Sequence, residues 1–540
     1  MHRKSLRVGI VVAACVAIPA LILLLHLTTS PRFVPLSPDS GVFAYAGKLV
    51  TEGKLPYRDF FDHKPPLIYY IEALAISISG PNPWSIWWLD VIYLSITGIS
   101  FFLILSQLTD LLTGSLTSGI FILTLMTPWL FMGGNYTETY GLLLQVLIIG
   151  ATYRHLASRR TQWIFLSGIL TALASLFKQT NIALGISSFL VSLFFAFLSR
   201  QSRAGIKHAL GFIMGFVLPW GVTAAIWAGL HASPQFWDAV ILYNLLYIRG
   251  GSSASGLSDA IQTVSSSPSF LPFLAIAFAG FCAFLSVNRA WLFHRVQSEA
   301  IGNPEEKDPL AIEKLFLVVF VAIPFEILFI SLSGRGYTHY YITLVPTIVF
   351  ACGYTFNKLI REMRAMSLWQ ATSAGFTGLL LMVWFFPTFA SVHPQRQHLA
   401  SLRMLGDRSI AQDDLVSYIN DHTQPDDPVL VWQVRTGENF VTGRPAPSRY
   451  LYPLPLFVRT ASGPSRFDQF MQDLKAHQPV LIIRFQNDQT VPAFDAPDDQ
   501  LCPNCIPEAL AGMKELRTFI LSNYVIADKF DEYIIYKKVK

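Results

Sequence analysis

Asp39-Ser40-Gly41-Val42-Phe43-Ala44-Tyr45-Ala46, then Gly53-Lys54-Leu55-Pro56-Tyr57-Arg58-Asp59, then Asp62-His63-Lys64-Pro65-Pro66-Leu67-Ile68-Tyr69-Tyr70: these three runs fall within residues 28–83, between apolar stretches at 8–27 and 84–106. Each flanking stretch reaches the ~20 residues that cross a bilayer at ~1.5 Å per residue. Carboxylates, a histidine, cations and conformationally fixed prolines are thus crowded against a membrane surface. A plain connector needs no such cluster, so chemistry is expected here, around Asp39 and the 62–66 segment.

Working outward, the whole chain has the composition of a membrane protein. Of its 540 residues 52% are hydrophobic and 14% charged, against about 25% charged in a soluble domain; the mean hydropathy is +0.43. Further apolar windows lie near 114–132, 140–156, 162–177, 181–199, 208–230, 268–287, 314–333, 341–357 and 368–390. With the two flanking stretches they predict about eleven transmembrane helices in a polytopic α-helical membrane protein. The N-terminal stretch is read as a retained helix, because it exceeds a signal-peptide core and Thr28-Thr29-Ser30-Pro31 is a poor cleavage site.

Orientation follows from the cations between spans. One set of joints holds Arg154, Arg159 and Arg160; Arg200, Arg203 and Lys207; Arg289, Arg295, Lys307 and Lys314; and Lys358, Arg361 and Arg364. The alternate set is poor in them: 133–139 has none, Lys178 is isolated, 231–267 has Arg249, and 334–340 has Arg335. The positive-inside rule then places the N-terminus in the cytoplasm and the C-terminal region outside, in a cell membrane. Loop 28–83 breaks the pattern, with Arg32, Lys48, Lys54, Arg58 and Lys64 on the outer side. Cations there call for another purpose, and anion binding is the obvious one. The net charge of +5 is explained by the inner joints, and nucleic acid is not an expected partner.

The pattern of Asp39 before an apolar helix, Gly53 with Pro56-Tyr57, and His63-Lys64-Pro65-Pro66-Leu67 with Tyr69 resembles the first external loop of GT-C glycosyltransferases. Closest in pattern are bacterial relatives of protein O-mannosyltransferases and of the lipid A aminoarabinose transferase. Glu138 resembles the acidic residue of that class's second external loop, and Arg335-Gly336-Tyr337-Thr338-His339-Tyr340 adds a third motif. The resemblance implies a transmembrane catalytic domain over 1–390 and a soluble extracytoplasmic domain over 391–540. It implies inverting transfer of a sugar, hexosyl or pentosyl, from a polyprenyl-phosphate carrier in the membrane lipid to an extracytoplasmic glycan, lipid or protein.

The chemistry needs a carboxylate within reach of the acceptor hydroxyl as general base, and Asp39 is the candidate; as an alternative it is merely a helix N-cap. Charge building on the leaving phosphate calls for fixed cations, and Lys64 and Arg335 are the candidates. Lys178 either meets the same phosphate or snorkels to the interface. His63 and His339 add hydrogen bonds or are satisfied interfacial residues, and Tyr57 and Arg58 are further candidates for substrate contact. Glu138 orients the acceptor, holds a divalent cation, or is a solvated helix-end acid; the cofactor stays open. Ser40 departs from the Asp-Glu pair of protein O-mannosyltransferases, which weakens a protein acceptor. Glu326 is an acid deep in a span, with no evident partner, and Trp237, Tyr243 and Tyr247 either line the substrate path or anchor the interface.

In the tail, 414–421 and 467–476 predict helices, and 429–432, 480–483, 524–527 and 533–536 predict strands of an α/β layer. Residues 444–450 are placed to contact the catalytic face. Cys502 and Cys505 are expected to form a local disulfide outside the cytoplasm. Two rival functions remain open: a transporter or lipid-sugar flippase, and a non-catalytic assembly protein.

Overall fold

The computed structural model describes residues 2–199, 202–249, 253–267, 270–290, 308–365, 414–460, 464–486, 490–497, 500–503 and 505–539. The helices are α1 (His2–His26), α2 (Pro38–Thr51), α3 (Leu67–Ser79), α4 (Pro83–Leu108), α5 (Leu111–Leu125), α6 (Pro128–Phe131), α7 (Thr137–Ser158), α8 (Thr161–Ser175), α9 (Ala183–Leu198), α10 (Ser202–Gly229), α11 (Ser233–Trp237), α12 (Tyr243–Arg249), α13 (Ser253–Ser266) and α14 (Leu271–Ala290). They continue with α15 (Ala311–Ser331), α16 (Leu344–Ala365), α17 (Asp414–His422), α18 (Gly437–Thr442), α19 (Arg466–Ala476) and α20 (Pro507–Asn523).

Among the described residues, five helical segments are long and apolar enough to span a membrane: Arg7–Thr29, Pro83–Leu108, Ser202–Gly229, Ala311–Ser331 and Thr338–Arg361. A sixth is reached if the bent pair Gly256–Ser266 and Leu271–Leu285 counts as one span. The chain is a multi-pass membrane protein, and among the described residues five or six of the eleven windows hold full-length spans. Helices α5, α8 and α9, which occupy three of those windows, have only 15 or 16 residues. The window at 368–390, and with it the domain boundary at 390, lies outside the described residues.

The joints between helices gather into two separate sets. Asp110 accepts a hydrogen bond from Asn357 at 2.9 Å, Arg159 approaches Asp308, and Lys358 pairs with Glu313 at 2.8 Å. Loop 28–83, the turn before α7, the turn between α8 and α9, helices α11 and α12, and the segment before Thr338 instead meet one another and the C-terminal unit.

That unit is built on a four-stranded sheet of order β1-β2-β4-β3. Strand β1 (Val429–Val431) runs parallel to β2 (Leu481–Phe485), and β4 (Tyr533–Lys538) pairs antiparallel with β2 and with β3 (Tyr524–Lys529). Successive side chains point to opposite faces. Leu481, Ile483 and Phe485 pack under α17 with Leu415 and Ile419, whereas Ile482 and Tyr536 face the other way. On that second face the core runs without interruption from Trp432, Phe440 and Tyr450 into Phe43, Tyr45, Tyr57, Phe60 and Tyr69 of the first loop. The unit and the loop therefore share one hydrophobic interior. The structure also joins Cys502 to Cys505 in a disulfide.

Contact is closest where α2 meets α18. A Cβ on Gly41 would lie 2.6 Å from the backbone nitrogen of Gly437, so any side chain there must separate two backbones. Gly41→Ala is expected to lower stability by about 1–3 kcal/mol, the usual range for overpacking. Gly119→Ala, whose Cβ would meet nothing within 4 Å, should leave the melting temperature unchanged or raise it. Thermal unfolding in detergent compares the two; equal stability would show that the α2–α18 approach can relax freely.

Candidate active site

Helix α2 places the candidate base. Ser37 is its N-cap, accepting from the Ser40 amide at 3.3 Å, and Pro38 opens the first turn. Asp39 is thus not the N-cap but the acid of the first turn. Its side chain is 37% exposed and its Oδ2 faces His339 Nε2 at 3.7 Å. His339 lies in the tight turn Thr338–Thr343 and stacks flat on Tyr136, ring centroids 4.2 Å apart.

The turn before α7 carries a run of left-handed residues, Met132, Gly133, Gly134 and Asn135. Gly134 is required there twice over: its φ is +80°, and a Cβ would lie 2.1 Å from Asp90 Oδ2. The turn directs the Asn135 amide onto Asp90 at 2.8 Å and its side chain onto Ser40 Oγ at 2.8 Å. Glu138 follows in the first turn of α7, 1% exposed, and forms an ion pair with Lys178. Thr137 donates to the other Glu138 oxygen at 2.9 Å. Lys178 sits in the turn between α8 and α9 with its ammonium 3.3 Å above the ring centroid of Tyr340. Burial pushes the ammonium down to about 8, against the opposing pull of Glu138.

The segment 62–64 forms the facing wall. Asp62 is 1% exposed and accepts from Tyr452 at 2.6 Å, Tyr69 at 2.8 Å and the His63 amide at 2.7 Å. Burial alone would raise its pKa. The His63 hydrogen bond and charge, the charge of Lys64 and the Tyr452 hydroxyl outweigh burial and hold the carboxyl well below the usual carboxylate range. His63 Nδ1 lies 3.0 Å from the Tyr452 hydroxyl, and its Nε2 lies 3.3 Å from Lys64 Nζ. Burial and the Lys64 charge keep the imidazole below its ordinary value, against Asp62 and Asp39. Burial opposes the charge on Lys64, but Asp39, Asp62 and Glu138 together carry its pKa above the ordinary lysine value.

His63, Lys64, Glu138, Lys178, Tyr247 and Tyr340 line one cavity of about 270 Å³, continued by Ile241, Leu245, Ile248, Phe329 and Ile330. It has a charged mouth and an apolar floor. Arg335 lies over Tyr247 with its guanidinium 4.7 Å from the ring centroid. Glu326 reaches the same cavity, and its partner, unassigned from the sequence, is Gln145, which donates at 2.9 Å. Of the aromatic residues, Tyr247 lines the cavity, Tyr243 packs against His63 at 5.0 Å, and Trp237 is 42% exposed.

Two sequence candidates are placed elsewhere. Tyr57 is fully buried with φ +71°, a region bulky side chains seldom adopt, and its hydroxyl donates to the Lys64 carbonyl at 2.8 Å. It shapes the loop from behind. Arg58 points outward and pairs with Asp59 at 2.9 Å. Sequence reasoning gave no role to Tyr340, Tyr136 or Tyr452. The first two sit beside flagged residues, whereas nothing local marks Tyr452, 390 positions from Asp62.

A divalent ion would need converging donors. Glu138 is committed to Lys178 and Asp39 faces His339, and among the described residues no three His, Cys, Asp or Glu side chains converge. The described donors thus form no three-ligand cluster for such an ion.

Residues 1–266, just under half of the chain, match the competence-induced protein Ccs4 N-terminal domain family. No curated protein matches by sequence. Among solved structures, ArnT from Cupriavidus metallidurans bound to undecaprenyl phosphate aligns with a TM-score of 0.52 at 14% identity, over 97% of this chain and 98% of that one. Its apo state gives 0.52 at 13%, over 97% of each. The chain thus has the fold of ArnT over nearly its full length.

The Glu138–Lys178 pair makes a sharp stability prediction. Lys178→Met strands a buried carboxylate and should cost about 3–5 kcal/mol, and adding Glu138→Gln should recover most of it. A double-mutant cycle from thermal or denaturant unfolding checks this; additive losses would mean the two groups are not coupled.

Proposed function

We propose that the chain is an inverting glycosyltransferase that moves a sugar from a polyprenyl-phosphate carrier to an acceptor outside the cytoplasm. The observation that carries this reading is the cavity itself: a charged mouth with Lys64, Lys178 and Glu138 opens onto an apolar floor, beside the Asp39 carboxylate. Such a chamber suits an anionic headgroup attached to a hydrocarbon chain. That ArnT, with the same fold, is bound to undecaprenyl phosphate supports the same carrier class here.

In the proposed step an acceptor hydroxyl attacks the anomeric carbon opposite the carrier phosphate. The new bond joins acceptor oxygen to carbon, the carbon–oxygen bond to phosphate breaks, and its electron pair leaves on the polyprenyl phosphate. Asp39 takes the hydroxyl proton. His339, 3.7 Å away, orients that carboxylate. Lys64 meets the phosphate as a point charge and Arg335 as a planar fork, stabilising charge that grows as the bond breaks. Glu138 keeps Lys178 charged and directed at the cavity.

The proposed architecture has about eleven crossings within 1–390, an extracytoplasmic domain over 391–540, and a cytoplasmic N-terminus. In support, the cation-poor joints are those that meet at the site, while the joints of Arg159, Lys314 and Lys358 meet separately. The shorter helices α5, α8 and α9 connect one set to the other.

Asp39→Asn should reduce transfer by about 10²–10⁴-fold, the usual share of a general base, with folding and membrane insertion intact. Transfer retained at the wild-type rate would remove Asp39 as the base. In a deletion strain, lipid-linked sugars compared by mass with wild type should accumulate; no difference would count against the transferase reading. For pH, a lysine with pKa about 8 is charged below that value and neutral above it. The rate at low donor concentration should therefore fall as pH rises through about 8, and Lys178→Arg should move that fall upward.

A further inference from the structure

We propose that Tyr452 of the C-terminal unit is a positioning residue for Lys64, acting through Asp62 and His63. This rests on the reading of Lys64 as the carrier-phosphate cation.

Proton directions follow from the donor inventory. The Lys64 ammonium can only donate, so His63 Nε2, 3.3 Å from it, must accept. The imidazole proton then sits on Nδ1, which faces the Tyr452 hydroxyl oxygen at 3.0 Å and Asp62 Oδ1 at 3.2 Å. Tyr452 gives its own proton to Asp62 Oδ1 at 2.6 Å. The chain of donors thus runs from Lys64 through His63 and Tyr452 to Asp62.

The surroundings leave this chain little freedom. Asn244 donates to the His63 carbonyl at 2.8 Å, and Tyr243 and Tyr247 flank the ring with centroids 5.0 and 5.8 Å away. The Lys64 carbonyl accepts from Tyr57 at 2.8 Å and Tyr69 at 3.1 Å. Lys64 is therefore fixed at its backbone by two tyrosines and at its ammonium by His63. Among the described residues of the C-terminal unit, Tyr452 is the one whose side chain hydrogen-bonds to Asp62 and His63.

A consequence separates positioning from mere packing. Neutral His63 accepts from Lys64; a protonated imidazole cannot, and repels it. The groups that bear on His63 are Asp62, Lys64, Asp39, Tyr452, Tyr243 and Tyr247, with Arg466 over Tyr243 and Arg335 over Tyr247. In Tyr452→Phe the Nδ1 proton turns to Asp62 alone, which favours the imidazolium. The acid-side loss of phosphate binding then moves to higher pH.

The test uses the full chain in detergent and undecaprenyl phosphate as the probe, with Kd measured from pH 5 to 9. The phosphate's own second ionisation near 6 is common to every variant, so differences between variants are the readout. Tyr452→Phe, which keeps the buried ring, should weaken binding about tenfold near neutrality, the order of one lost hydrogen bond, and shift its acid limb upward. His63→Gln, which can accept from Lys64 but cannot titrate, should lose the His-dependent part of that limb. Unchanged Kd and pH profile in Tyr452→Phe would overturn the proposal, as would an unaltered acid limb in His63→Gln, which decides the matter should the first variant fail to fold. If the unaltered chain binds no undecaprenyl phosphate at any pH, the carrier reading falls and this proposal with it; binding by the unaltered chain that Tyr452→Phe leaves intact removes the positioning role alone.

Discussion

A carboxylate at Asp62 with 1% of its surface exposed is the constraint on which the outer half of the molecule depends. Taking an ion out of water costs several kcal/mol even after relaxation, and the cost is met only when its lone pairs are satisfied by good donors. Here they are, by two tyrosines and a backbone amide. One tyrosine comes from α3 and the other from the C-terminal unit. Folding the first loop correctly therefore requires that both be in place, and the shared aromatic core around Tyr57, Phe60 and Tyr450 makes the same demand through packing. The C-terminal unit thus backs the wall formed by residues 62–64.

Around that fixed point the charges balance by alternation. Lys64 feels Asp39, Asp62 and Glu138 together, Asp39 faces His339, and Lys178 pairs with Glu138 on the α7 side. Each cation lies near an acid yet keeps a face on the cavity. Burial sharpens every one of these pairings, because the effective dielectric is lower than in water. An incoming phosphate would meet cations already held in place, which is what preorganised stabilisation of a leaving group requires.

Much of this was legible in the sequence. The alternation of apolar residues marked 480–483 and 533–536 as strands, where β2 and β4 now run, and the cation count set loop 28–83 apart as the exception among the joints that meet it. Of the residues singled out by type and position, His63, Lys64, Glu138 and Lys178 line one cavity, Asp39 faces His339, and Arg335 lies over Tyr247. Partners were not legible. Gln145 for Glu326 and Tyr452 for Asp62 lie 181 and 390 positions apart, and a single sequence carries no signal for such pairs. Helix ends were less legible: apolar windows ran past the last residues of α5, α8 and α9. Helix α20 escaped notice although Ala509, Met513, Leu516 and Ile520 recur at helical spacing along its buried face.

Ser40 shows why a departure from a family pattern must be read in three dimensions. In sequence it stands beside the candidate base, where a second acid would bear on the acceptor. In the structure it is 3% exposed and its hydroxyl accepts from Asn135 at 2.8 Å. Asn135 in turn takes the Tyr140 hydroxyl at 2.6 Å and gives its amide to Asp90. A glutamate at this position would put a further carboxylate into the pocket that already buries Asp90, without a cation to match it. Serine therefore fits the inner wall that holds α2 against the turn before α7, and that wall sets the angle at which Asp39 faces the cavity. In the proposed transfer, acceptor discrimination then falls to the exposed side of Asp39, where His339 stands with Tyr337 stacked on it, and not to the residue that follows it.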